Sequence, residues 1–274
     1  MPNISGTETG HKFYQFKNVT DDSADIYFYG EIGESWYDEA SKGAKQFIDE
    51  LAELNENATL NIHFNSPGGN VFDGVAISTA IKQHSGKTVA YIDALAASAA
   101  SFIALSCNEV YIADLAAIMI HRASVLGYGN VDDFKKIIDL LDSIDASIAS
   151  TYARFDGEHN ADYWYEQMSA ESWYFGQAAV DAGLADELFA AEPIAACITP
   201  EVIAKYGYKH VPQDIVADSE SDATSIINNV EEAPEEDTEP EGPVEEVIEQ
   251  DDNAPRARLI SFSNQNIIVH RKGE

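Results

Sequence analysis

The chain is 274 residues long and 45% hydrophobic, enough for one sizeable domain plus an extension. Its formal charge of −32 argues against non-specific nucleic-acid binding, and no stretch approaches the roughly 20 apolar residues of a membrane span. Two cysteines, Cys107 and Cys197, make neither a disulfide framework nor a zinc site, and Met1-Pro-Asn-Ile-Ser-Gly-Thr7 lacks the blocks of a signal peptide, so a cytoplasmic location is the expectation.

Residues 1–22 are polar and expected to be loosely held. Asp25–Ile32 reads as a first strand, rich in β-branched and aromatic residues. After a turn at Gly33, apolar residues Ala40, Ala44, Phe47, Ile48 and Leu51 recur at helical spacing as far as Leu54. Thr59–Phe64 is a second strand. It ends in Asn65-Ser-Pro-Gly-Gly-Asn70, a strong turn signal, and a helix follows from Val71 to His84.

The stretch from Tyr91 to Ser106 organises the rest. A strand, Lys87–Ile92, feeds a run of very small residues, and that run becomes a helix of Ala, Leu, Ile and Phe. A serine placed where a strand gives way to a helix can stand exposed beside free N–H groups that favour negative charge. Ser98 and Ser101 are the serines there; small-residue runs also merely pack.

Glu109–Ile112 and Ala116–His121 read as two short strands, the second ending in a histidine. After the glycine-rich turn Gly127–Asn130, a long amphipathic helix runs from about Val131 to Phe155. Its stripe is Phe134, Ile137, Ile138, Leu141, Ile144, Ile148 and Tyr152. Helices follow at Ala161–Met168 and, after Trp173-Tyr-Phe175, at Gly176–Ala182. Gly183–Leu188 closes the region as a strand or turn. Alternating strands and helices give an α/β class fold of stacked β–α units.

Three polar features then need an explanation: Gly68-Gly69, Ser98 and His121, each at the end of a strand. If the strands are parallel neighbours, these ends share the edge where open α/β folds place ligands. A serine with a histidine base, oriented by a carboxylate, is the arrangement of nucleophilic catalysis. Alone, each signal more often has a structural origin.

Together they carry a resemblance. Asn65-Ser-Pro-Gly-Gly-Asn-Val-Phe-Asp-Gly74, Ala96-Ala-Ser-Ala-Ala100, Met119-Ile-His121 and Gly183-Leu-Ala-Asp186 stand in the order and spacing of the Clp protease proteolytic subunit family. The resemblance runs over about residues 25–190 and is nearest to the bacteriophage head maturation (prohead) branch, whose phrase Glu171-Ser-Trp173 is also present. It implies a crotonase-like (Clp protease) fold with a protruding handle helix at Val131–Phe155. It implies a serine endopeptidase with Ser98 as nucleophile and His121 as general base. The backbone N–H groups of Gly69 and Ala99 would form the oxyanion hole.

The third triad member is an aspartate in bacterial members. Gap-free alignment back from Gly183 places Glu171 there, with Asp162 as the other candidate. Arg122-Ala123 depart from the family's apolar or amide residue followed by proline, which implies altered subsite contacts. The chemistry needs no cofactor or metal. The sequence has no P-loop, so ATP-driven unfolding would come from a separate partner. A homo-oligomeric ring is implied, with capsid, scaffold or portal proteins as substrates. An acyl-CoA enzyme of the crotonase superfamily is the alternative, and it would lack the serine nucleophile.

The charge is uneven. Between Asp214 and Asp252 stand sixteen acids and no Lys or Arg. Such a segment does not bury enough apolar surface to offset its ordering entropy. The expected layout is an N-terminal segment (1–24), the protease-like domain (25–190), an extension (191–213), a disordered acidic linker (214–254) and a C-terminal docking element (255–274), with any maturation cut expected between about Val211 and Arg258. A tail that organises capsid assembly as a scaffold fits the same composition.

Overall fold

The computed structural model describes residues 13–33, 43–191, 198–212 and 216. All fall in the first of two units of the chain, 1–231. The acidic linker beyond 216, the C-terminal segment and any cut within them lie outside the described residues, as does Cys197.

The elements in chain order are β1 (Gln15–Lys17), β2 (Ser23–Tyr29), α1 (Ala44–Leu51), β3 (Thr59–Ser66), α2 (Val71–Gln83), β4 (Thr88–Ala97), α3 (Ala99–Ala104), β5 (Glu109–Ala113) and β6 (Ala117–Ile120). There follow α4 (Val131–Asp156), α5 (Ala161–Ala170), β7 (Ser172–Phe175), α6 (Gly176–Asp181), β8 (Glu187–Phe189) and α7 (Pro200–Tyr206). The result is an α/β fold with a mixed sheet, consistent with the crotonase-like architecture.

Strand pairing follows from the alternation of apolar residues. Ala24, Ile26 and Phe28 of β2 lie opposite Leu60, Ile62 and Phe64 of the parallel β3, and all six are buried. Phe28 and Phe64 stack with ring centroids 5.4 Å apart. The other sheet face carries a row of rings, Tyr27, His63, Tyr91 and Tyr111, stacked at 4.6, 5.1 and 5.6 Å.

β4 is the strand that positions the site. Its first half pairs with β5, and its end, Leu95–Ala97, pairs instead with β6. On its other side the register with β3 shifts between Phe64 and Asn65, whose partners jump from Ile92 to Leu95. The sequence reading ends this strand at Ile92. The run Ala94-Leu-Ala-Ala97 in fact continues it, buried between the main core and the layer under α7.

Two further differences have plain causes. Residues 13–17 are not loosely held: Phe13 and Tyr14 are buried, and β1 pairs antiparallel with β2. Each such aromatic contributes on the order of 2 kcal/mol by burial. In addition, Trp173-Tyr-Phe175 is a strand, β7, antiparallel to β6.

Helix α4 opens with a capping box, Asn130 with Asp133, and stops at Gly157, whose φ is 73°. Its buried residues, Asp145, Ala149 and Tyr152, all lie in the C-terminal half. Among the described residues no helix is long and apolar enough to cross a membrane.

Candidate active site

The ends of β4 and β6 bring the two residues singled out in the sequence together. Ala97 pairs with Met119, and the ladder continues one step as Ser98 N–H donates to Met119 O at 2.9 Å. The next residues of each strand are then neighbours, and Ser98 Oγ lies 2.8 Å from His121 Nε2. Ser98 stands between β4 and α3 with φ 53° and ψ −119°, a conformation that non-glycine residues rarely adopt.

Ser101 clamps this elbow. Its hydroxyl donates to Ser98 O at 2.5 Å and lies 2.7 Å from Tyr152 Oη of α4. It is fully buried, so Ser101 is the structural serine of the pair.

Gly68-Gly69 runs against the same elbow. A Cβ on Gly68 would stand 2.7 Å from Ser98 Cβ and 3.0 Å from Ala99 N. A Cβ on Gly69 would strike Ile32 O at 2.0 Å. Ile32 brackets Gly69 in a parallel bridge, donating to Gly68 O and accepting from Asn70 N–H. The N–H of Gly69 therefore faces away from that ladder. Ala99 N–H, first in α3, is one of the donors a helix leaves without an intrahelical partner.

Glu171 reaches the site through the β6–β7 register. Ile120 pairs with Ser172, so the preceding Glu171 is placed opposite His121. Glu171 caps α5 at φ 53° and ψ 76°. Its carboxylate accepts from the backbone N–H groups of Lys209, at 2.8 and 2.9 Å, and His210, at 2.7 Å. Asp162 lies in the first turn of α5, exposed, at the helix end opposite Glu171.

The electrostatics favour a neutral imidazole. Burial lowers the His121 pKa below the ordinary histidine value, while the charges of Glu171 and Asp145 raise it in part. Burial pushes the Cys107 thiol up to about 12, so it supplies no thiolate at neutral pH. Among the described residues no group of His, Cys, Asp and Glu is placed to hold a metal ion.

Two residues of the site are absent from the sequence reading. Asp145, fully buried on α4, accepts from Arg122 Nε and from Ala123 N–H, both at 2.7 Å, and so ties down the segment after His121. The signal for it is an acid at position 145 within the apolar stripe Leu141, Ile148 and Tyr152. Arg122 also stacks over Tyr165, with its guanidinium carbon 4.8 Å from the ring centre. The second is Tyr208, whose ring meets His121 edge-on at 5.2 Å. Its signal is the helix grammar Thr199-Pro200 and Gly207 around α7.

A strand-to-helix elbow with a serine, an adjacent histidine, a neighbouring carboxylate and a glycine turn is suited to acyl transfer. No curated protein matches the chain. The model of the Clp protease family matches residues 8–192, which takes in every element from β1 to β8 and so begins earlier than the motif resemblance. The chain belongs to the Clp protease family.

Proposed function

We propose that the chain is a serine endopeptidase in which Ser98 attacks the peptide carbonyl and His121 takes its proton. The observation that carries this reading is the 2.8 Å approach of Ser98 Oγ to His121 Nε2 at a strained elbow. His121 then returns the proton to the leaving amine, and water repeats the cycle to release the acyl group. The N–H groups of Gly69 and Ala99 hold the oxyanion. Glu171, placed opposite His121 by the strand register, orients the imidazole and stabilises its protonated form.

The proposed substrates are proteins of a phage head, processed during its maturation. This rests on the resemblance of the Ala96–Ser101 and Glu171–Trp173 segments to that branch. A homo-oligomeric ring is part of the same reading. Phe134, Ile138 and Leu140 in the N-terminal half of α4 are exposed, as an assembly surface requires. A separate ATP-driven unfoldase would feed folded substrates.

The test is mass spectrometry of the purified chain beside its Ser98→Ala variant, each incubated with a fluorophosphonate. The expected result is a single adduct on Ser98 of the wild type alone. Cleavage of a peptide substrate by Ser98→Ala would end the assignment.

A further inference from the structure

The segment that follows the family match lies over the site. Thr199 caps α7, and Ile198, Val202, Ile203, Tyr206 and Tyr208 pack against Ala94, Leu95, Ala97, Ala117 and Met119, the strand ends that carry Ser98 and His121. Ile198 is fully buried and Tyr208 nearly so.

Three sets of contacts fasten it to three walls of the cleft. On the oxyanion side, Tyr208 Oη donates to Pro67 O at 2.5 Å, one residue before Gly68-Gly69. On the same side Lys205 Nζ and Tyr206 Oη both bond to Glu31, which precedes Ile32. Over the centre, the Tyr208 ring stands edge-on to His121, with ring centroids 5.2 Å apart. On the far side, the N–H groups of Lys209 and His210 occupy the Glu171 carboxylate.

We infer that residues 198–211 are a self-inhibitory strap, with Tyr208 as its stopper and Glu171 as its latch. The inference rests on the serine-peptidase reading of Ser98. A phenol presents no carbonyl to the serine, so a ring held against His121 blocks the site without being a substrate. It also engages the carboxylate that the imidazole needs. Among the described residues no hydrogen bond joins Glu171 to His121. A peptide enters only after Tyr208 leaves, and the same movement frees Glu171 to turn to His121 Nδ1.

If the strap is closed nine-tenths of the time or more, its removal raises the apparent reaction rate about tenfold or more. The experiment measures the rate of fluorophosphonate labelling at Ser98 in the full-length wild type, Tyr208→Ala and Ile198→Asp, with Ser98→Ala as the blank. Ile198→Asp releases the strap at its anchor without altering any group at the cleft. Hydrogen exchange at the Lys209 and His210 amides is followed in parallel. The expected result is faster labelling in both variants, with loss of amide protection. Equal labelling rates in all three active chains would overturn the strap while leaving Ser98 as the nucleophile. No labelling in any chain, with those amides protected in the wild type, would overturn the serine reading and the inhibitory role with it.

Discussion

Ser98 and Glu171 share a backbone signature: both hold φ at 53°, in the positive region that side chains with a Cβ avoid. Of the described non-glycine residues only Asn18 joins them there. In Ser98 the accompanying ψ of −119° is a conformation that glycine adopts easily and alanine does not. Strain of this kind costs on the order of 1–3 kcal/mol. Ser98→Gly is therefore expected to be more stable than Ser98→Ala by about 1 kcal/mol, the relief of strain outweighing the chain entropy glycine adds. Both should be inactive. Urea unfolding of the pair decides it; a less stable glycine variant would mean that the elbow stores no strain.

The lowered pKa of His121 has a signed consequence. The base must be neutral to accept the serine proton. Burial makes protonation harder, so the neutral form persists below the ordinary imidazole pKa of about 6.5. The acidic limb of the pH–rate profile should fall below that value in kcat/KM, which reports the free enzyme. A limb well above it would show that the carboxylates outweigh burial. The measurement belongs in the wild-type chain, because Tyr208→Ala removes a ring that helps to bury His121.

Glu171 and Asp162 are separated by the length of α5, roughly 13 Å at 1.5 Å per residue over nine steps. In the Tyr208→Ala background, Glu171→Gln should lower kcat by roughly a hundredfold or more through loss of the orienting charge. It should also move the acidic limb further down, since the Glu171 charge raises the His121 pKa. Asp162→Asn should change neither. An inactive Asp162→Asn beside a fully active Glu171→Gln would transfer the role.

How much of this was legible in the sequence depends on where the information sits. Local patterns mark two helices nearly to the residue, Val71–Gln83 against an expected end at His84 and Val131–Asp156 against Phe155, whereas α7 is absent from the reading. The meeting of Ser98 and His121 was expected only on condition that their strands were parallel neighbours, and the β4–β6 pairing meets that condition. What stayed hidden was set by tertiary contact. The run Ala94–Ala97 is strand because layers cover both its faces, and no periodicity marks that. Arg122 looked like a departure near the histidine; its partner Asp145 lies 23 residues on. The strap rests on long-range contacts such as Tyr208 to Pro67, 141 residues apart.

The N-terminal half of α4 leaves Phe134, Ile138 and Leu140 at 45, 56 and 50% exposure. Phe134→Glu combined with Ile138→Glu should leave the monomer's stability almost unchanged, because neither side chain is in its core. In analytical ultracentrifugation the double variant should sediment as a smaller species than the wild type. An unchanged assembly would place the contact between subunits elsewhere.

Asp145 offers a test that separates positioning from bulk stability. Its two oxygens accept from the Arg122 side chain and from Ala123 N–H, and Arg122 Nη2 continues to Asp142 at 2.7 Å. In Asp145→Asn one oxygen still accepts from Ala123, but the amide group opposes the Arg122 donor. The cost should be about 2 kcal/mol, because a buried charge-assisted bond is lost while Arg122 remains partly solvated. Melting temperature should fall by several degrees. If Asp145 only braces the fold, the pH–rate profile in the Tyr208→Ala background should keep its shape. If its charge also acts on His121, the acidic limb should move down, because the Asp145 charge now raises that pKa. The expected result is the second: a drop in stability together with a lower acidic limb. An unmoved limb with the same stability loss would confine Asp145 to holding the Arg122 segment in place.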